Sequence, residues 1–164
     1  IVKVADGYLL FNKHYPNVLK LSNQGDKIWE KEYDGISILG AIQTSVHNVL
    51  AYGIDADSNA VIYNVDSNHF TEKYILQSDY FIVSALEMGD NSLLFTGFEY
   101  DMYFSNKTLS VVNISNEGEM IHHIRIDVKP DLAINEVVET DDGIMILTSY
   151  NYESESTIYN IKLR

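Results

Sequence analysis

A five-residue turn recurs along the chain at nearly constant spacing, and this repeat restricts the available folds more than any other feature. Leu21-Ser22-Asn23-Gln24-Gly25 aligns with Val65-Asp66-Ser67-Asn68-His69 and with Ile114-Ser115-Asn116-Glu117-Gly118, and a fourth copy begins at Ile161. The offsets are 44, 49 and 47 residues. A β run precedes each turn, at 18–21, 61–65, 109–114 and 158–161, and another follows the first three, at 27–33, 70–76 and 119–126. Upstream a second element repeats in phase: Asp6-Gly7-Tyr8-Leu9-Leu10-Phe11, Asn48-Val49-Leu50-Ala51-Tyr52-Gly53, Ser92-Leu93-Leu94-Phe95-Thr96-Gly97 and Asp142-Gly143-Ile144-Met145-Ile146-Leu147. A further run precedes each of these, at 1–4, 36–44, 80–88 and 132–139. Each unit therefore predicts four strands joined by tight turns. Three complete units and a fourth lacking its last strand make 15 strands.

Four strands in 44–49 residues is the requirement of a β-propeller blade. An isolated blade cannot bury both faces of its sheet, so blades stack. The expected fold is all-β, with about four propeller-type blades of four antiparallel strands and the last blade incomplete. The repeats run over 1–35, 36–78, 79–128 and 129–164 within one domain. A β-sandwich of unequal hairpins is the alternative. Composition agrees: 12 tyrosines with many Ile and Val favour strands, and only 2 prolines interrupt them. Three closures fit the short fourth unit: a small four-bladed ring, a fragment of a longer propeller, or a half that pairs with another copy. The start at Ile1 reads as a processed or excised product.

The stretch 18–33, VLKLSNQGDKIWEKEY, resembles the blade signature of quinoprotein-like (PQQ-type and BamB-like) propellers and of bacterial extracellular propeller repeats. Gly25 and Trp29 match that pattern; the second copy has His69 and Tyr74 nearby, and the third has Gly118 without a Trp. The resemblance implies that Trp29 packs between neighbouring blades. It should be largely buried, and its truncation to Ala should cost about 3–5 kcal/mol. The same resemblance implies a secreted or cell-envelope location. It brings no cofactor-binding set, and no cofactor is expected.

Charge narrows the partners. There are 24 Asp+Glu against 11 Lys+Arg, a net charge of −13. A phosphate-binding surface needs clustered Lys and Arg, so nucleic acid is not expected. No run approaches the roughly 18 apolar residues of a membrane span, so no membrane insertion is expected. Without cysteine there is no thiol nucleophile, disulfide or Cys-bound zinc.

Phase also places the candidate binding residues. The loops between second and third strands, at 12–16, 54–59, 98–107 and 150–156, should share one face. They carry His14 and Tyr15, then Asp55 and Asp57. Next come Phe98, Glu99, Tyr100, Asp101, Tyr103 and Phe104, and last Tyr150, Tyr152, Glu153 and Glu155. Tyr15, Phe98, Tyr100, Tyr103, Phe104, Tyr150 and Tyr152 are the candidate ligand-binding residues. Aromatic side chains bury much area at little entropy cost, so they anchor a protein or stack on a sugar. Carboxylates attract Lys and Arg. The structural counterpart is that these tyrosines pack on neighbouring blades, and that 98–106 extends two strands into a long hairpin.

Other motifs carry less. Asp55-Ala56-Asp57-Ser58-Asn59 opens like a calcium loop with Asp66 twelfth, but Ala60 replaces the required glycine, and a hairpin turn fits better. His122 and His123 are adjacent on a strand and point to opposite faces, which does not suit one metal. No metal site is expected. Nor is there a G-x-S-x-G, P-loop or Rossmann pattern. The expected function is a non-catalytic binding or scaffold module for a protein partner, a basic one given the charge. The alternatives are a glycan-binding module using the tyrosine-rich loops and a carboxylate-based hydrolase or lyase using rim carboxylates and His14. Open blade edges would favour self-association.

Overall fold

The computed structural model describes residues 1–12, 17–45, 48–65, 70–78, 80–100, 106–150 and 156–163. They form fifteen strands and, among the described residues, no helix. The first sheet has β1 (Val2–Val4), β2 (Gly7–Phe11), β3 (Asn17–Leu21) and β4 (Lys27–Glu32). The second has β5 (Ile36–Thr44), β6 (Asn48–Asp55), β7 (Asn59–Val65) and β8 (Phe70–Ser78). The third has β9 (Tyr80–Glu87), β10 (Leu93–Tyr100), β11 (Lys107–Ile114) and β12 (Met120–Val128). The fourth has β13 (Leu132–Thr140), β14 (Gly143–Tyr150) and β15 (Ser156–Lys162). Strand order follows chain order in every sheet, and the registered pairs are antiparallel. This is the propeller-blade pattern: three four-stranded sheets and one of three strands.

The repeated turn has one geometry where two of its copies are described. Ser22 donates its backbone N–H to Asp26 O at 2.8 Å, and Gly25 N–H bonds back to Ser22 O at 3.0 Å. Ser115 and Glu119, and Gly118 and Ser115, make the same two bonds at 2.8 and 3.0 Å. In both turns the Ser hydroxyl accepts from the backbone N–H groups two and four residues on. Gly25 and Gly118 stand at φ 90 and 92, a left-handed conformation that glycine adopts without a Cβ penalty. The Ser-Asn-x-Gly repeat is thus a physical requirement of the turn. The copy at 66–69 lies outside the described residues.

The repeated Asp-Gly has its own cause. A Cβ on Gly7 would overlap the backbone carbonyl of Leu21, and one on Gly143 would overlap that of Ile161. Second and third strands approach too closely there for any side chain. The preceding acids hold the third strand: Asp6 pairs with Lys20, and Asp142 with Lys162 at 3.0 Å.

By contacts the chain divides into two compact units, Ile1–Phe81 and Ile82–Arg164. In the first, Val2, Leu9 and Val18 of the first sheet pack on Ile38, Val49, Ala51 and Val65 of the second. Trp29 packs against this core but is only half-buried, because it stands on the outer strand β4, and Lys31 Nζ lies 5.4 Å from its ring centroid. Its truncation cost falls below the range expected for a fully buried Trp. In the second unit, Met88, Leu94, Phe98, Leu109 and Val111 of the third-sheet repeat pack on Leu132, Ile144, Ile146 and Ile161 of the fourth. Burying these side chains stabilises by roughly 1.5–3 kcal/mol each. Face-to-face packing of adjacent sheets is the blade–blade contact that the repeat demanded. Among the described residues no helix is long and apolar enough to cross a membrane.

Candidate functional site

In the second unit, strand pairing gathers the hairpin ends of both sheets. Tyr100 pairs with Lys107, Lys107 with Val128, Leu132 with Tyr150, and Ser149 with Ser156. These pairs close one end of each sheet. Lys107 then joins the two. Its Nζ sits 3.7 Å from the Phe98 ring centroid and 5.9 Å from that of Tyr100, and donates to the carbonyls of Pro130, at 3.3 Å, and Leu132. A cation held between aromatic faces and backbone oxygens is stabilised on every side. Burial lowers the pKa of Lys107, and the charge of Asp131 opposes that shift.

Lys129 makes the second tie, with Nζ 4.9 Å from the Tyr150 centroid. The pKa of Tyr159 is raised first by burial and then by its neighbour Tyr150. Tyr100 is likewise raised by burial. A cleft of about 430 Å³ opens beside Lys107, lined by Asn106, Lys107, Asp127, Val128 and Pro130.

The opposite face of the third sheet carries a polar cluster. Alternation puts Glu99, Ser110, His123 and Arg125 on the side away from Phe98 and Leu109. Glu99 Oε1 and His123 Nε2 are 3.0 Å apart, Ser110 Oγ is 3.0 Å from the same Nε2, and Arg125 Nε donates to both carboxylate oxygens at 3.1 and 2.9 Å. Burial pushes Glu99 upward, but the hydrogen bonds from Arg125, Ser110 and His123, with the Arg125 charge, outweigh it and hold it below the usual carboxylate range. Ser, His and Glu in contact invite comparison with a nucleophile–base–acid relay. That relay needs the two ring nitrogens to serve different partners. Here one nitrogen faces both, and Ser110 is fully buried, so the cluster is a cross-strand latch.

The candidate binding residues separate into three groups. Phe98 is 4% exposed and belongs to the core, where its ring receives Lys107. Tyr100 and Tyr150 are half-buried, packed on that core at the hairpin ends. Tyr15, Tyr103, Phe104 and Tyr152 lie outside the described residues, as do His14, Asp101, Glu153 and Glu155. Asp55 is committed to its own turn: its carboxylate accepts from the N–H groups of Asp57 and Asn59 at 2.9 and 2.8 Å and from Asn59 Nδ2 at 2.9 Å. These bonds hold its pKa down, the Asn59 side chain first. Asp66, the other end of the calcium-loop spacing, lies outside the described residues. His123 is engaged with Ser110 and Glu99. Among the described residues, no three His, Asp or Glu side chains are grouped to hold a metal ion.

Sequence reasoning found the aromatics and missed the cations. Lys107, Arg125 and Lys129 organise this end of the unit. The available signal was position: Lys107 opens the strand after the aromatic loop, and Lys129 opens the connection between sheets. The sequence matches no protein-family model and no curated protein.

Proposed function

We propose that the chain is a non-catalytic binding module that takes a protein partner on the hairpin ends of its second unit. The observation that carries this reading is the clamping of Tyr100 and Tyr150. Both rings are half-buried on the core, and Lys107 and Lys129 approach them at 5.9 and 4.9 Å. Aromatic side chains already fixed in place lose little entropy on binding, which is what an interface anchor needs. A glycan is the less favoured ligand, because stacking needs an open ring face and Lys129 already covers one face of Tyr150. The net charge of −13 would speed the approach of a basic protein.

The test is quantitative affinity capture from the source organism, comparing the wild-type chain with two variants. Tyr100→Ser/Tyr150→Ser removes the anchors. Lys129→Glu alters an exposed position outside the core and controls for misfolding. A specific protein retained by the wild type and lost from both supports the reading, and its association should slow as salt rises. Identical protein sets for all three chains, or a glycan array that responds where protein capture does not, would contradict it.

A further inference from the structure

Three aspartates of the chain stand immediately before a glycine: Asp6-Gly7, Asp34-Gly35 and Asp142-Gly143. Such a pair carries a latent reaction of its own. The amide nitrogen of the glycine can attack Cγ of the aspartate, and glycine, without Cβ, hinders that approach least. The reaction needs a carboxyl free to turn back on the main chain and a peptide unit free to rotate. The fold denies both at two of the pairs. Gly7 and Gly143 are buried and open β2 and β14, where Gly7 pairs with Val4, and Gly143 with Thr140 and Lys162. Each lies so close to a carbonyl of the third strand, that of Leu21 or Ile161, that even a Cβ would overlap it. Their aspartates are engaged as well, Asp6 by Lys20 and Asp142 by Lys162. The bond from Lys20 holds the pKa of Asp6 down and keeps it as the unreactive anion. The third pair differs at each point. Asp34 and Gly35 form the turn between β4 and β5, and both are exposed. Gly35 stands at φ 76, and a Cβ on it would meet only Ala56 Cβ, at 3.6 Å. The Asp34 side chain has no hydrogen bond or ion pair among the described residues.

We propose that Asp34-Gly35 is a site of spontaneous backbone modification, where Asp34 passes through a succinimide to isoaspartate and lengthens the link between the first two sheets. The Gly35 nitrogen bonds to Asp34 Cγ. The N–H proton, the carboxyl proton and one carboxyl oxygen leave as water. Water then reopens the ring. Attack at Cγ restores aspartate. Attack at the main-chain carbonyl carbon of Asp34 leaves the chain running through Cβ and Cγ, with the main-chain carboxylate free. The water lost in the first step returns in the second, so no other reactant is needed. The consequence follows from position. Tyr33 and Ile36, on either side of the pair, both pack on the core that the first and second sheets share. An extra main-chain carbon between them moves one relative to the other, and a close-packed core does not absorb such a shift freely. This site is independent of the tyrosine site, and a different measurement tests it.

The test is incubation of the folded full chain at neutral pH in water enriched in oxygen-18, followed by peptide mass mapping. Each passage through the ring leaves one heavy oxygen behind. The peptide carrying Asp34 should gain label at least about tenfold faster than those carrying Asp6 or Asp142, whose reaction must wait for paired strands to open. In urea, where no strand restrains them, the three should label at similar rates. Electron-transfer fragmentation should then find isoaspartate at position 34. In the aged protein, hydrogen exchange should become faster over Ile36–Ile38, where β5 begins. Asp34→Glu changes an exposed residue and would need a larger, slower-forming ring, so it should show neither the label nor the faster exchange. Equal labelling of the three sites in the folded chain would overturn the proposal. So would a lead for Asp34 that persists undiminished in urea, the absence of label at Asp34 in the folded chain while the urea sample gains it, or exchange that quickens equally in the Asp34→Glu chain.

Discussion

The third and fourth sheets share one core and treat their outer edges in opposite ways. On the third, β12 delivers Ile124, Ile126 and Val128 inward. Its outward residues His123 and Arg125 close a latch with Glu99 and Ser110. On the fourth, β15 faces outward with Ile158 and without a charge until Lys162. The comparison teaches that blade packing and edge protection are separate problems. The inward residues of both sheets are fixed by the same core, whereas the outward ones depend on what lies beyond each strand.

Equal participation in the core sets the largest expected effects. Leu109→Ala on the third sheet and Ile146→Ala on the fourth each remove a fully buried side chain from the same cluster. Each should cost about 2–5 kcal/mol in urea unfolding. A cost below about 1 kcal/mol for Ile146→Ala alone would show that the three-stranded sheet is not held as firmly as its neighbour.

The tie between the sheets comes next. Lys107→Met keeps most of the volume and removes the bonds to the carbonyls of Pro130 and Leu132. Loss of about 1–3 kcal/mol is expected, with faster hydrogen exchange where β13 begins. No change in either would mean that the sheets hold together by apolar packing alone.

The latch on the third sheet gives the smallest and most specific effect. The folded-state pKa of Glu99 is depressed, so its stabilisation is complete above the unfolded Glu value of about 4.3 and is lost as pH falls through the lower folded value. Glu99→Gln should therefore be about 1 kcal/mol less stable near neutral pH, the contribution being tempered by the half-exposed Arg125. The gap between variant and wild type should close as the pH is lowered through the acid range. A gap that stays constant would assign the effect to packing. On the fourth sheet the Lys162–Asp142 pair is largely exposed on both sides and is worth less.

Much of this fold was legible because its repeat signals are backbone requirements. Ser22 and Ser115 cap the same turn, Gly25 and Gly118 supply the same left-handed residue, and Gly7 and Gly143 admit the same close carbonyl. Such residues mark position without knowledge of the partner. The site was less legible for the converse reason. Phe98 reads in sequence as one of four aromatics in a loop, yet the alternation of β10 turns it into the core. The role of Lys107 depends on carbonyls 23 and 25 residues away, across a sheet boundary. Trp29 carried the strongest motif match but stands on an outer strand, where one face of its sheet position stays open to water. The three strands of the fourth sheet among the described residues follow the fourth repeat, but the outward exposure of Ile158 needed the register with Leu147.

The most direct test is residue-resolved hydrogen exchange on the free protein, comparing β15 with β11. β11 is paired on both sides, so its amides from Lys107 to Ile114 should be protected without alternation. β15 is paired with β14 alone among the described residues, so protection from Ser156 to Lys162 should alternate residue by residue. That result would establish that, within residues 1–164, β15 is paired with β14 alone while β11 is paired on both sides. Uniform protection along β15, equal to that of β11, would contradict the account, because the edge would already be paired.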